Sequence, residues 1–255
     1  MRLFDTHAHY DDSAFDGDRT ALLSSMPEHG VELILDPGCD LSSSQKAVEL
    51  AEQFPHVYAA VGVHPSECAG WQESWLDELR QLAACPKVRA IGEIGLDYYW
   101  AENPPRDFQQ QVFRAQLELA LELDLPVIVH DREAHGDSLS IVKEYPALRG
   151  VFHCYSGSVE MARELLALGW YLGFDGPVTY KNARKTVEVA EMAPLDRILI
   201  ETDSPYMSPV PLRGKRNDSR NMFYMAEKLA QIKGLSTGEM AQITMENGKR
   251  LFDIK

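Results

Sequence analysis

The residues of this chain best suited to chemistry are two histidines one residue apart, in Asp5-Thr6-His7-Ala8-His9 after the short apolar run that includes Leu3 and Phe4. Alternate side chains of an extended strand share a face, so His7 and His9 project together, as two ligands of a divalent cation would. An isolated His-x-His reads more readily as a pair of surface or hydrogen-bonded histidines, so the metal reading needs matching ligands from other segments. The chain has them. His64 follows Gly62-Val63, Glu93 lies in Ile91-Gly92-Glu93-Ile94-Gly95-Leu96-Asp97, His130 closes Pro126-Val127-Ile128-Val129-His130, and His153 follows Phe152. Glu201 and Asp203, two apart and therefore on one face, stand in Glu201-Thr202-Asp203-Ser204-Pro205.

Imidazole nitrogens and carboxylate oxygens suit Zn²⁺, Mn²⁺ or Mg²⁺, and a set this rich in nitrogen leans toward zinc or manganese. Two such ions, about 3.5–4 Å apart, need a bridging carboxylate, and Glu93 is the residue placed to supply it. Asp203 can serve as a ligand and as the acceptor of a proton from an activated water. His64 is either a further ligand or a group that orients substrate. Glu201 either contacts the metal or substrate, or pairs with a neighbouring cation. His29 and His56 fall at the wrong ends of their elements for a shared site, and His135 reads as a surface residue.

These side chains need a frame that brings separate segments to one place. Apolar, β-branched runs at 2–5, 31–35, 57–63, 88–94, 126–130, 150–153, 169–174 and 197–202 read as eight strands. Helical patterns near 18–28, 42–53, 73–84, 107–124, 136–144, 158–168, 182–192 and 219–233 alternate with them, and an extra C-terminal helix covers about 236–251. Ser158 and Ser236 read as N-caps, and Gly169 and Gly234 as left-handed C-caps. Eight strand-then-helix units imply an all-parallel sheet closed as a (β/α)₈ TIM barrel, one domain over 1–255. Six of the eight strands then end in a histidine or an acid at the face where barrel enzymes build their sites. An open doubly wound sheet is the alternative, but the glycine-rich nucleotide-binding signatures of such sheets are missing.

Composition narrows the function. The chain has 25 lysines and arginines against 39 acids, a net charge of −14, which repels a phosphate backbone and excludes a broad duplex-binding face. Nucleic acid would have to enter locally, drawn by bound cations and a few arginines. Neither a membrane span nor a signal peptide is indicated, and the four cysteines form no C-x-x-C pair. The expectation is a cytoplasmic protein with reduced thiols, no membrane association and no obligate protein partner.

Taken together, Asp-Thr-His-Ala-His, Gly-Val-His-Pro, Gly-Glu-Ile-Gly-Leu-Asp-Tyr, Pro-Val-Ile-Val-His-Asp-Arg, Phe-His-Cys-Tyr-Ser-Gly-Ser and Glu-Thr-Asp-Ser-Pro-Tyr resemble the TatD family of metal-dependent deoxyribonucleases, in the amidohydrolase superfamily. The match runs from residue 3 to residue 252 in the family's order. The resemblance implies that His7, His9, Glu93 and Asp203 hold one divalent ion and Glu93, His130 and His153 a second. It implies 3′–5′ exonucleolytic cleavage of DNA, with single strands or 3′ ends as substrate and Asp203 and Glu93 as the catalytic carboxylates. Many amidohydrolases bridge with a modified lysine where this chain has Glu93, which favours the nuclease branch. Tyr155 stands where phenylalanine is commoner, and the loop Glu133-Ala134-His135-Gly136 departs on the substrate side.

A second constellation concerns phosphate. Pro209-Val210-Pro211-Leu212-Arg213-Gly214-Lys215-Arg216-Asn217 is a proline-bounded loop with three cations, and Arg213 is similar to a family position near bound nucleotide. Arginine forks match phosphate oxygens, and Arg132, behind His130-Asp131, is another candidate. Tyr98, Tyr99 and Trp100 could stack a base, though a lid packed on the barrel rim is the favoured reading. Two other functions keep the same metal site: an esterase or lactonase acting on a small molecule, and a non-catalytic metal-binding barrel.

Overall fold

The apolar runs become strands because their β-branched residues pack on both faces of a pleated surface, and the amphipathic segments become helices that cover its outside. A computed structural model describes residues 1–255. The strands are β1 (Leu3–Asp5), β2 (Val31–Pro37), β3 (Val57–Val61), β4 (Val88–Asp97), β5 (Val127–Arg132), β6 (Gly150–Phe152), β7 (Tyr171–Phe174) and β8 (Ile198–Ile200). Each pairs in parallel with its neighbour in sequence. Past the last residues of β8 and β1 the ring is closed by backbone bonds: Asp203 N–H donates to His7 O at 2.9 Å and His9 N–H to Ser204 O at 2.7 Å. The result is a (β/α)₈ barrel.

The outer helices are α1 (Arg19–Ser25), α2 (Leu41–Gln53), α3 (Ser74–Ala83), α4 (Arg106–Leu123), α5 (His135–Lys143), α6 (Val159–Ala167), α7 (Arg184–Met192) and α8 (Met222–Lys233). Their starts and stops follow local chemistry. Asp40 and Ser43 form a capping box on α2, Ser158 accepts from Met161 N–H to start α6, and Gly169 and Gly234 take φ values of +89° and +68° behind α6 and α8. α1 is shorter than its pattern suggests, because Pro27 turns residues Met26–His29 into a 3₁₀ segment.

One side chain from every strand, Phe4, Leu35, Ala60, Ala90, Ile128, Val151, Tyr171 and Leu199, points into the barrel. A ninth helix, α9 (Thr237–Leu251), started by the capping box Ser236/Glu239, presses Met245, Leu251 and the following Phe252 and Ile254 onto that ring. Phe252 meets Phe4 edge to face at 6.0 Å, and Asn247 donates to Leu195 O and Ile198 O at the start of β8. α9 is thus a plug under the N-terminal end, and the opposite end stays open for side chains that do chemistry. No helix is long and apolar enough to cross a membrane.

Candidate metal centre

Glu93 is the hub of that open end. β4 does not stop there, as its apolar run suggests, but continues to Asp97. Ile91 pairs with Val127 and Ile94 with Val129, so β4 takes up one extra residue between them. Such a bulge re-aims a side chain, and here it turns the buried Glu93 into the mouth. Beyond it, Gly95 sits at φ +140°, and a Cβ there would collide with the His130 carbonyl oxygen. Only glycine lets β4 lie this close to β5.

The two oxygens of Glu93 face different partners. Oε2 lies 3.3 Å from His7 Nε2 and 3.5 Å from His9 Nε2. Oε1 lies 2.7 Å from His153 Nε2, 2.8 Å from His130 Nδ1 and 3.7 Å from His64 Nε2. Asp203 Oδ1 completes the first group at 3.7 Å from His7 Nε2 and 3.5 Å from His9 Nε2. Tetrahedral ligation with bonds of about 2.0–2.1 Å sets ligand atoms roughly 3.3–3.4 Å apart. Five of the six separations in this first group, those that involve a histidine, run from 3.0 to 3.7 Å. Its nitrogens and ionised oxygens therefore fit a divalent cation.

Electrostatics acts unequally on these donors. It favours the binding forms of His7, Glu93 and Asp203. His9, against the effect of burial, is raised well above its ordinary value by Cys39, Asp203 and Glu93, so a cation there must displace a proton. Burial, and then the stacked His153 ring 4.0 Å away, lowers the His7 pKa to about 4, so its imidazole is neutral with a lone pair to give. Burial alone would raise Glu93 and Asp203, but the surrounding histidines outweigh it and hold both carboxyls low, Glu93 well below its ordinary range. His130 is opposed by burial yet pushed up to about 9 by its hydrogen bonds to Asp97 and Glu93, so a cation at Nδ1 must displace a proton.

Behind the donors lies a set of fixing contacts, as metal-binding histidines require. His9 Nδ1 donates to Pro37 O at 3.1 Å, and His130 Nε2 faces Asp97 Oδ2 at 3.2 Å, each leaving the other ring nitrogen for a ligand. Asp5 takes Thr202 N–H at 2.9 Å and Thr202 Oγ1–H at 2.6 Å, tying β1 to the segment that carries Asp203. Asp203 itself has φ +55°, a strained value held by its neighbours. Asp5 and Asp97 were quoted above only as parts of motifs. Asp97 had a signal: it is four residues from Glu93 on the same strand. Cys39, with Sγ 3.9 Å from His9 Nδ1 and 4.0 Å from Glu93 Oε2, had none.

The other candidate residues separate clearly. His64 is brought to the site, its Nδ1 held by Ser66 Oγ at 2.7 Å and its ring edge against His130. Arg132, the last residue of β5, lines the mouth and stacks on Tyr99 with 4.2 Å to the ring centroid. Glu201 corrects the expectation of a substrate or metal contact. It is fully buried behind the ligands, accepts Cys154 N–H, and lies 3.8 Å from His153 Nδ1, in space that Gly173 leaves free. Arg213 is exposed on its loop and stacks on Tyr180, outside the walls of the mouth, while Arg216 ties the same loop to Asp18 at 2.6 Å. Tyr99 and Trp100 do not form a packed lid: they are 53 % and 47 % exposed, with Arg132 stacked against them. His135 bonds Asp131 at 2.7 Å on the outer rim, and His29 and His56 lie at the other end of the barrel.

The mouth has two unlike halves that meet at His64, His130, His153 and Asp203. One, of 390 Å³, is walled by Asp11, Asp12, Asp40 and Glu67. The other, of 680 Å³, is walled by Asp97, Trp100, Asp131, Arg132 and Met207, and Tyr206 borders both halves.

A histidine and carboxylate cluster at a barrel mouth is shared by many hydrolases, and comparison with known proteins narrows the field. The family profile described as TatD related DNase matches residues 4–253. The chain belongs to the TatD family. It is 44 % identical over 254 residues to the uncharacterized metal-dependent hydrolase YabD of Bacillus subtilis, covering 99 % of each chain. It is 35 % identical over 261 residues to the 3′-5′ ssDNA/RNA exonuclease TatD of Escherichia fergusonii, again covering 99 % of each. The crystal structure of YJJV, a TatD homolog from Escherichia coli K12, superposes with a TM-score of 0.93 at 33 % identity, covering 100 % of this chain and 99 % of that one. The TatD relationship and the cluster around Glu93 together make this protein a metal-dependent hydrolase.

Proposed function

We propose that this TatD protein is a two-metal 3′–5′ exonuclease that removes terminal nucleotides from single-stranded DNA in the cytoplasm. The observation that carries the reading is the division of Glu93, whose Oε2 faces His7 and His9 while Oε1 faces His130 and His153. That is the arrangement a carboxylate shared by two cations requires. His7, His9, Glu93 and Asp203 would hold one ion, and Glu93, His130 and His153 the other. Zn²⁺, Mn²⁺ and Mg²⁺ all suit the donors, and when bound they supply Lewis acidity at the phosphoryl oxygens and lower the pKa of water.

The chain's own groups do the rest. Asp203 stands on the wall of both halves of the mouth and is held ionised, so its carboxylate accepts the proton of the water that attacks phosphorus in line. The 3′ oxygen of the preceding nucleotide leaves and takes up a proton as a 3′-hydroxyl, the proton on Asp203 returning to solvent, and a 5′-mononucleotide is released. Arg132 offers guanidinium donors to the non-bridging oxygens, and His64, held by Ser66, orients the phosphate from the other side. The name of the Escherichia fergusonii relative supports the substrate class and the direction of cleavage.

The test is digestion of a 3′-labelled single-stranded DNA by protein stripped of metal and then supplied with Mg²⁺, Mn²⁺ or Zn²⁺. Metal-dependent release of the labelled nucleotide, lost in Asp203→Asn, is the expected result. Hydrolysis of small esters or lactones with no release from DNA under any metal overturns the reading in favour of a small-molecule hydrolase.

A further inference from the structure

We propose that Trp100 and Tyr206 grip the 3′-terminal base of the strand across the mouth, with Arg132 beside them for its phosphate. This rests on the nuclease reading of the site. Strands β4 and β8 are diametrically opposed in an eight-stranded ring, so the loops that follow them face each other over the Glu93 cluster. Trp100 stands on the first loop and Tyr206 on the second, and both line the larger half of the mouth.

Each wall is built as a platform. Trp100 packs edge to face on Tyr99 at 4.8 Å, and the Arg132 guanidinium lies 4.2 Å from the Tyr99 centroid and 5.4 Å from that of Trp100. Arg132 has no carboxylate partner, although acids outnumber cations 39 to 25. Its N–H donors are left for an incoming anion. Tyr206 is 56 % exposed yet held at both ends, its hydroxyl donating to Asp12 Oδ2 at 2.8 Å and its N–H to Asp203 O at 2.8 Å. Large aromatic faces kept open to solvent and pre-oriented beside a catalytic cluster suit a flat, apolar ligand with a charged end.

A nucleotide is that ligand, and charge decides how it lies. Asp11, Asp12, Asp40 and Glu67 wall the smaller half with no lysine or arginine among its lining residues, whereas the larger half, although lined by Asp97 and Asp131, also holds Arg132, so the strand's phosphates lie on the Arg132 side. Because every base has a π-face, the grip tolerates any sequence.

The test compares two oligonucleotides that end in the same phosphodiester, one with a normal 3′-terminal nucleotide and one with an abasic residue there. Stacking on one aromatic side chain is worth about fivefold to a hundredfold in affinity. Wild-type enzyme is expected to show a KM about tenfold higher for the abasic end. Trp100→Ala should raise the KM of the normal end part of the way to the abasic value, the double variant with Tyr206→Ala should raise it fully, and Trp100→Phe should restore most of the difference. Tyr206→Ala should act like Trp100→Ala, whereas Phe223→Ala, an exposed aromatic at the start of α8 away from the mouth, should match wild type. Equal KM values for the two ends in wild type, or discrimination undiminished in both Trp100→Ala and Tyr206→Ala, overturn the grip while leaving the nuclease intact. Cleavage of neither oligonucleotide with any metal, alongside hydrolysis of a small ester, overturns the nuclease reading and the grip with it.

Discussion

The two ends of this barrel are made from the same eight strands and obey opposite rules. At the N-terminal end, Phe4 and its seven neighbours meet Met245, Leu251 and Phe252 of the α9 plug, and the buried amide of Asn247 is satisfied by two carbonyls. At the C-terminal end, histidines and acids crowd together, and four of the six non-glycine residues with positive φ, Glu133, Cys154, Asp203 and Met207, lie here. Of the buried side-chain polar atoms without a partner, all but those of His56 and Arg89 belong to this end, among them His7 Nδ1, His153 Nδ1 and Glu201 Oε2. Unpaired buried polar groups cost stability, so the mouth is held in place by the apolar end and by what it binds. One end stabilises the fold, and the other draws on that stability for function.

The most severe way to break this division is Glu93→Gln, which removes the one side chain shared by both donor groups while keeping its shape. Turnover should fall by at least about 10³-fold. Metal analysis after dialysis should show reduced content, and circular dichroism should be unchanged. Residual activity above a tenth of wild type would mean that Glu93 does not bridge. At the other end, Phe252→Ala leaves a hole against Phe4 and should cost about 3–5 kcal/mol of stability. Denaturant titration reads that loss, while kcat with saturating metal at 25 °C should stay within about twofold. Equal damage to stability and turnover from Phe252→Ala would show that the ends are not separable.

Metal itself provides a gentler comparison. A ligand present at 100 times its dissociation constant stabilises by about 2.7 kcal/mol. For a chain of this size that is a rise in Tm of about 5–10 °C. Adding the activating ion to the metal-free protein should produce that rise in wild type and in Phe252→Ala alike, and only a fraction of it in His153→Ala, which retains the His7, His9 and Asp203 group. A full rise in His153→Ala would place His153 outside the metal centre.

The same contrast explains what could be read from the residues in order. Strand alternation, helix caps and polar strand ends are local patterns, and they suffice for the barrel, for α9 and for the convergence of His7, His9, His130 and His153. Side chains whose direction depends on how the ring closes were harder. Glu93 reaches its place through a bulge that no local pattern marks, in a strand that runs on to Asp97. Glu201 shares a strand face with Asp203 in an ideal extended chain, but β8 ends at Ile200 and the turn through Asp203 at φ +55° sends the two carboxylates different ways. Arg213, Tyr99 and Trp100 lie on loops, whose paths are set by packing partners far away in sequence.

The smallest expected effect bears on the two halves of the mouth. With an acidic wall on one side and Arg132 the one arginine lining the other, few phosphates are contacted, and the rest of a net charge of −14 repels the strand. For single strands, log K falls with log salt at a slope of about −0.7 per phosphate neutralised, so one or two contacts predict a slope between about −0.7 and −1.4. Fluorescence anisotropy of a labelled, phosphorothioate-protected oligonucleotide, titrated with the metal-loaded wild-type protein over a range of salt, measures it. Arg132→Gln should make the slope shallower by about 0.7. A slope steeper than about −3 would mean that the strand tracks over several more cations outside the mouth, and the Pro209–Asn217 loop with Arg213 and Lys215 would be the place to look.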